Sequence, residues 1–464
     1  MKNILIYPIA LLFAAGFVMS CDNILEPSVD QEIPTETAIE NVGDLNAVVL
    51  GIHDELNEFE LFGRDFYVSP DVMSDNAWSN ENSGRFINQR DFNFPITHSY
   101  PAGVWNNFYV AIAGANIAIN AELEESGPDV DHAKGQAYAL RGFSHMNLLL
   151  AFGQQFVEGG DPAHGIPYVT SYADEENQYP QRDSIQEVWE NIIDDLNSAE
   201  NLLNQDQFDP TLMNYYAVKG LQSRLYLYTE DYDAAIAAAD AVIDSGNFAL
   251  VSADDLVSRW ASGSGPNSLF ELAFTDTDRL ATDNIARIYL DSNYGDVEIT
   301  ADLYHAYEED DVRRELLSDE GEGRFRMTGK YRDELGTDNV RIIRYAEVLL
   351  NKAEALVKRN NAGDREEALS IINELSAERG SSRVYSEATP ENVLAERRLE
   401  LAMEGQRLFD LARHGLDVRN VDIPSGYNRF NNGEDLPYGD YRYALPIPNA
   451  ELNANGNMDQ NVGY

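Results

Sequence analysis

Two carboxylates one helical turn apart, Glu400 and Glu404, have the types and spacing that glycoside hydrolysis uses. Arg397, Arg398, Arg407 and Arg413 crowd the same segment, with Glu404–Arg407 and Asp410–Arg413 spaced i, i+3. Guanidinium partners keep a carboxylate ionised and so remove a general acid. The segment therefore reads as a structural clamp. The histidines at 53, 98, 132, 145, 164, 305 and 414 offer no i, i+4 pair and no His-Glu-x-x-His, which argues against a zinc centre. Gly321-Glu322-Gly323 lacks the third glycine of a dinucleotide loop, and there is neither a Gly-Lys-Ser/Thr phosphate loop nor a Gly-x-Ser-x-Gly elbow. Asp276-Thr277-Asp278 starts like a calcium loop, but Ala281 stands where the turn glycine belongs. No catalytic group and no cofactor is expected. A cation site built wholly from loops stays open in so acidic a chain.

Aromatic and polar side chains are the chemistry that remains. Sugar rings present apolar faces that stack on Trp and Tyr, while Asp, Asn and Arg take their hydroxyls. Trp105 and Trp189 fall in helical patterns and read as packing, and Trp260 is ambiguous. Trp78 lies in the polar, non-periodic run Ser74-Asp75-Asn76-Ala77-Trp78-Ser79-Asn80-Glu81-Asn82-Ser83-Gly84-Arg85. Asp75, Asn76, Trp78 and Arg85 are expected to form one side of a shallow glycan site, and Tyr289 and Tyr294, on a long loop, the other. The competing reading is a loop Trp docked onto the core.

Charge excludes one class of partner. The chain has 80 Asp plus Glu against 33 Lys plus Arg, a net −47, and a nucleic-acid binder needs the opposite balance. Lysine accounts for only six of the basic residues (2, 134, 219, 330, 352 and 358), a composition compatible with salt adaptation. With one cysteine there is no intramolecular disulfide. That cysteine follows Lys2, an apolar run from Ile4 to Met19, and Ser20. The run is short for a membrane span and has the layout of an export signal. Val18-Met19-Ser20-Cys21 resembles a bacterial lipobox, which implies a signal peptide over 1–20, acylation of Cys21 and a Pro- and acid-containing tether over 21–40. An ordinary signal peptide with an incidental Cys is the alternative.

Helical elements must position whatever the loops carry. Ser184 and Glu187 form a capping box, ahead of Ile185, Val188, Ile192, Leu196, Ala199 and Leu203 on one face. Thr389-Pro390 is a second helix start. In 211–246, Ser223, Tyr226, Ala235 and Ala239 stand at offsets 0, 3, 12 and 16, the ladder of a tetratricopeptide hairpin except that Ala239 is small. In 343–379, Ala353, Leu356, Ala368 and Ile372 stand at 0, 3, 15 and 19, the extra residues fitting the Asn360–Gly363 turn. A third pair is expected across 133–203, and generic Ala-rich hairpins are the bland reading of all three. Leu269 to Phe274 is the best strand candidate, whereas 154–183, 248–300, 317–338 and 416–446 read as long loops. The expected fold is all-α, with irregular tetratricopeptide-like hairpins and long loop-rich insertions in a single domain over 41–464.

Five segments resemble the SusD/RagB family of outer-membrane nutrient-binding lipoproteins. They are Val104-Trp105-Asn106-Asn107-Phe108-Tyr109 with Ala115-Asn116; Gln136 to Phe143; Arg182-Asp183-Ser184 through Asp194-Asp195-Leu196; Arg344 to Leu350 with Ala353-Glu354-Ala355; and Glu396 to Leu411 within the C-terminal motif 396–415. The chain closes on Gln460-Asn461-Val462-Gly463-Tyr464, with Val462 where that family usually has Pro. The resemblance implies a lipid-anchored protein of the cell outer membrane that binds a glycan and passes it to a SusC-like TonB-dependent β-barrel transporter, without catalysis. Part of the ligand site would lie in the N-terminal region that contains Trp78. A tetratricopeptide scaffold for a protein or peptide partner, and a secreted hydrolase, are the competing classes.

Overall fold

Four helical hairpins carry most of the apolar spacing seen in the sequence. The computed structural model describes residues 39–171, 178–261, 267–292, 294–427 and 430–464. The expected signal peptide, Cys21 and nearly all of the expected tether lie outside them. The first hairpin pairs α1 (Val42–Leu56) with α2 (Ser99–Asn120), across an insertion at 57–98. The second pairs α3 (Pro128–Phe152) with α4 (Ile185–Leu202). The third joins α5 (Tyr215–Tyr228) to α6 (Tyr232–Ile243), and the fourth α7 (Tyr345–Arg359) to α8 (Asp364–Glu378). Two shorter helices, α9 (Pro390–Glu400) and α10 (Arg407–Arg413), close the bundle.

The caps form as their residue types dictate. Ser184 accepts from the Glu187 amide at 3.2 Å, and Glu187 accepts from the Ser184 amide at 3.0 Å. Thr389 accepts from the Asn392 amide, and Pro390 occupies the first turn of α9. Between α5 and α6, Glu230 takes φ 58° and Asp231 caps the next helix through the Ala234 amide at 3.1 Å. Ala235 and Ala239 are fully buried, so the two backbones approach closely. Ser223 Oγ accepts from Asn351 Nδ2 at 2.9 Å, tying the third hairpin to the fourth. Ala235, Ala353, Leu356, Ala368 and Ile372 belong to one apolar cluster. Each large aliphatic side chain buried there contributes about 1.5–3 kcal/mol.

Two small antiparallel sheets form, and three of their strands, in 297–299, 317–321 and 324–327, fall in stretches expected as long loops. The larger contains β1 (Ala77–Ser79), β3 (Val297–Ile299), β4 (Leu317–Gly321) and β5 (Arg324–Met327), in the order β1-β3-β5-β4. The smaller pairs β2 (Ser268–Leu272), the anticipated strand, with β6 (Val340–Arg344). The strands of the larger sheet are short, and charged residues alternate with apolar ones, as in Val297-Glu298-Ile299 and Arg324-Phe325-Arg326-Met327. Alternation over three to five residues is too brief to stand out from a polar loop.

Buried ion pairs hold the C-terminal motif. Glu400 accepts from Arg344 at 3.0 Å and from Arg379 at 2.9 Å, with Arg313 at 3.3 Å. Burial alone would raise its pKa, but Arg379 and Arg344 outweigh that and hold the carboxyl well below the usual range. Glu404 does not pair with Arg407 as the i, i+3 spacing suggested. It takes Arg344 at 2.7 Å and Lys330, while Arg407 reaches Asp75 at 2.7 Å. The cause is a break in the helix: Met403 and Gly405 take φ 63° and 73°, and Asp71 accepts from their amides at 3.2 and 2.7 Å. Asp410 accepts from Arg397 at 2.9 Å and Arg413 at 2.8 Å, the latter at the anticipated spacing.

Candidate functional site

The polar run 74–85 is built as a turn, a strand and a second turn. Ser74 Oγ donates to the Asp71 carbonyl and accepts from the Asn76 amide, which turns the chain into β1. After β1, Glu81 and Phe86 take left-handed backbone, and Arg90 holds the bend by donating to the Ser79 carbonyl at 3.1 Å and to Glu81 at 2.7 Å. Asp296 accepts from the Ser83 amide at 2.7 Å, so the second turn is fastened to the segment entering β3.

Three of the residues expected at the site prove to be interior ones. Asp75 is fully buried and accepts from Arg407 at 2.7 and 3.0 Å and from Arg419 at 2.6 Å, with Arg398 at 3.7 Å. Burial pushes its carboxyl up, yet the three guanidiniums win and hold it far below the usual range. Asn76 is buried; it donates to Asp71 at 2.8 Å and accepts from Arg398 at 2.8 Å. Tyr289 has no exposure and sits at the end of the short helix Ile285–Tyr289, its ring 6.2 Å from Tyr331. None of the three can meet a ligand directly. The polar types of Asp75 and Asn76 serve internal arginines instead.

Trp78 lies in β1, and Arg85 and Tyr294 pair at the turn that follows that strand. Trp78 stands opposite Glu298 in the β1–β3 register, and its indole meets the Tyr427 ring edge-on at 4.7 Å. At 3% exposure it is covered rather than displayed. Arg85 lies over the Tyr294 ring at 3.9 Å and donates to Ser83 Oγ at 2.8 Å, with its guanidinium one-third exposed. Such a cation–π pair presents a flat, hydrogen-bonding surface.

Four residues of this region lay outside the sequence reading. Glu298 is fully buried and gathers Arg324 at 3.1 Å, Arg326 at 3.1 Å and Asn80 at 2.6 Å. Arg324 keeps a third of its side chain in solvent. Tyr427 and Arg419 arrive from the long stretch 416–446. Arg419 bridges Asp75 to Asp302, the latter at 2.9 Å, and borders an open cleft of about 790 Å³ shared with Asp302, His305, Asn420, Asp422 and Asp435. The alternation in 324–327 was the one signal that could have marked Arg324. Nothing local marks Tyr427.

The other three tryptophans are packed. Trp105 meets Phe152 edge-on at 5.0 Å, and Trp189 stacks on Tyr228 at 5.7 Å. Trp260, ambiguous in sequence, is buried with Arg341 at 4.2 Å and Lys330 at 4.7 Å from its ring. The carboxylates nearest the site face, Glu298, Asp75 and Asp296, are all committed to donors.

Similarity to known proteins follows the same architecture. The SusD family profile matches residues 324–464, and a profile described as starch-binding associating with outer membrane matches residues 24–227. SusD-like protein P38 of Formosa agariphila is 24% identical over 100% of this chain and 99% of its own length. Starch-binding protein SusD of Bacteroides thetaiotaomicron is 32% identical over a stretch covering 27% of this chain and 22% of that protein. A putative sugar binding protein of Bacteroides vulgatus superposes with TM-score 0.82 at 26% identity, covering 92% of this chain and 100% of that one. A SusD superfamily protein of Bacteroides thetaiotaomicron gives 0.81 at 25%, covering 91% and 99%. With matched profiles at both ends, relatives aligned along the whole length and the same helical hairpins, the chain belongs to the SusD family.

Proposed function

We propose that this protein is a lipid-anchored component of the outer membrane that binds an oligosaccharide and delivers it to a TonB-dependent β-barrel transporter. The observation that carries the binding role is the partly exposed Arg85–Tyr294 pair, at the turn that follows the strand of Trp78 in the sheet that also carries Arg324. Rings of this kind stack on sugar faces, and guanidiniums donate to hydroxyls. The starch-binding description of the profile over 24–227 and the sugar-binding title of the Bacteroides vulgatus structure support the ligand class. The commitment of the neighbouring carboxylates Glu298 and Asp75 to arginine donors supports binding over hydrolysis. Lipidation of Cys21 and the transporter partnership come from the lipobox and the family alone.

Calorimetric titration of the purified chain with maltoheptaose, laminarihexaose, xylohexaose and oligogalacturonates tests the reading. At least one is expected to bind, and Arg85→Ala and Tyr294→Ala are each expected to weaken it roughly tenfold, about 1.4 kcal/mol. Equal affinity in both variants moves the site elsewhere. Turnover of any of these sugars by the pure protein would replace binding with catalysis.

A further inference from the structure

We infer that residues 419–427 form a strap whose Tyr427 covers Trp78 in the free protein and is displaced when ligand arrives. This rests on the reading of Trp78 as a sugar platform, and it adds how access to that platform is controlled.

Trp78 is buried in an unusual way. It is 3% exposed, yet among the described residues it belongs to neither contiguous apolar cluster, although its neighbour Ala77 does. Its surroundings are the charged face of the sheet, with Glu298 opposite, and the strap, with Tyr427 edge-on at 4.7 Å. Val421 and Ile423 of the strap line, with Trp78, Val72 and Phe430, a narrow void of about 20 Å³.

The strap is pinned at one end and jointed near the other. Arg419 donates to Asp75 at 2.6 Å and Asp302 at 2.9 Å, the Asn420 amide to Asp435 at 2.7 Å, and Val418 exchanges two 2.9 Å backbone bonds with Leu436. Immediately before Tyr427, Gly426 takes φ 105°, with open space where a Cβ would stand. A glycine in solvent can change its backbone angles at little steric cost, which suits a hinge. Swinging Tyr427 outward on this joint would leave Arg419 seated and bare the indole beside Arg324. Displacement gives up one edge-to-face aromatic pair, and the ligand's stacking replaces it.

Acrylamide quenching of tryptophan fluorescence tests the cover without a ligand. Tyr427→Ala should make one tryptophan newly accessible, and that signal should vanish in the Tyr427→Ala, Trp78→Phe double variant. Tyr427→Phe keeps the ring and should match the wild type. For the oligosaccharide of the above panel that binds, Tyr427→Ala should tighten affinity roughly two- to tenfold, the removed pair converted at tenfold per 1.4 kcal/mol. Quenching unchanged in Tyr427→Ala overturns the cover. Weaker binding in Tyr427→Ala also overturns it, making Tyr427 a second platform. If Trp78 becomes accessible but Trp78→Ala binds sugar like the wild type, the platform reading fails and the cover stands.

Discussion

Asp75 shows how one residue type can serve two different designs. In sequence it is a polar loop residue beside a tryptophan; in the fold three arginines converge on it. Those partners lie more than 320 positions away, and no local pattern announces them. Removing the charge leaves Arg398, Arg407 and Arg419 in excess over Asp302. Asp75→Asn is therefore expected to lower stability by about 3–5 kcal/mol at neutral pH. The pH dependence follows from the depressed pKa. Its contribution is complete above the unfolded value, about 3.9, and is lost as pH falls through the lower folded value. Urea unfolding of wild type and variant should show the gap at pH 7 and a narrower one at pH 3. An equal gap at both would mean that Asp75 is not what acid removes. Trp78 carried two readings in sequence; its ring is covered, by Tyr427 and a charged sheet face instead of the apolar core.

At the scale of elements, helix ends were legible because capping is local: Ser184, Glu187, Thr389 and Pro390 all do what their positions predict. The sheet was not legible, since its strands are three to five residues long and pair across large sequence separations. The turn between α9 and α10 shows the same limit. Spacing alone treated 396–413 as one helix and paired Glu404 with Arg407, whereas Met403 and Gly405 in left-handed backbone redirect both side chains. Gly405 is required there on two counts. A Cβ would meet the Tyr67 carbonyl oxygen at 2.7 Å, and φ is 73°. Gly405→Ala is expected to lower stability by about 2 kcal/mol, measurable as a shift in denaturant midpoint at constant slope. A change under about 0.5 kcal/mol would mean that the turn relaxes freely.

Across the whole molecule, charge is sorted by depth. Arg313, Arg326, Arg344, Arg379 and Arg397 are buried with carboxylate partners, so charge nearly cancels inside and the excess behind the net −47 lies on the outer surface. Self-repulsion at such a surface falls with ionic strength. The melting temperature should therefore rise from dilute buffer to molar NaCl, and a flat or falling curve would remove salt adaptation. Anchoring has its own test. Cys21→Ala should move the protein from the membrane to the soluble fraction, because no lipid can then be attached; a variant still in the membrane pellet would remove the lipoprotein reading unless the transporter alone retains it. The sequence by itself determined three of the helical hairpins, the caps at Ser184 and Thr389, and the clamp of acids and arginines, because each depends on local periodicity or neighbouring residues. Only the tertiary structure decided which polar residues face solvent: Asp75, Asn76 and Tyr289 went inside and Arg324 and Tyr427 joined Trp78, because burial and ion pairing are set by chain segments that meet only after folding.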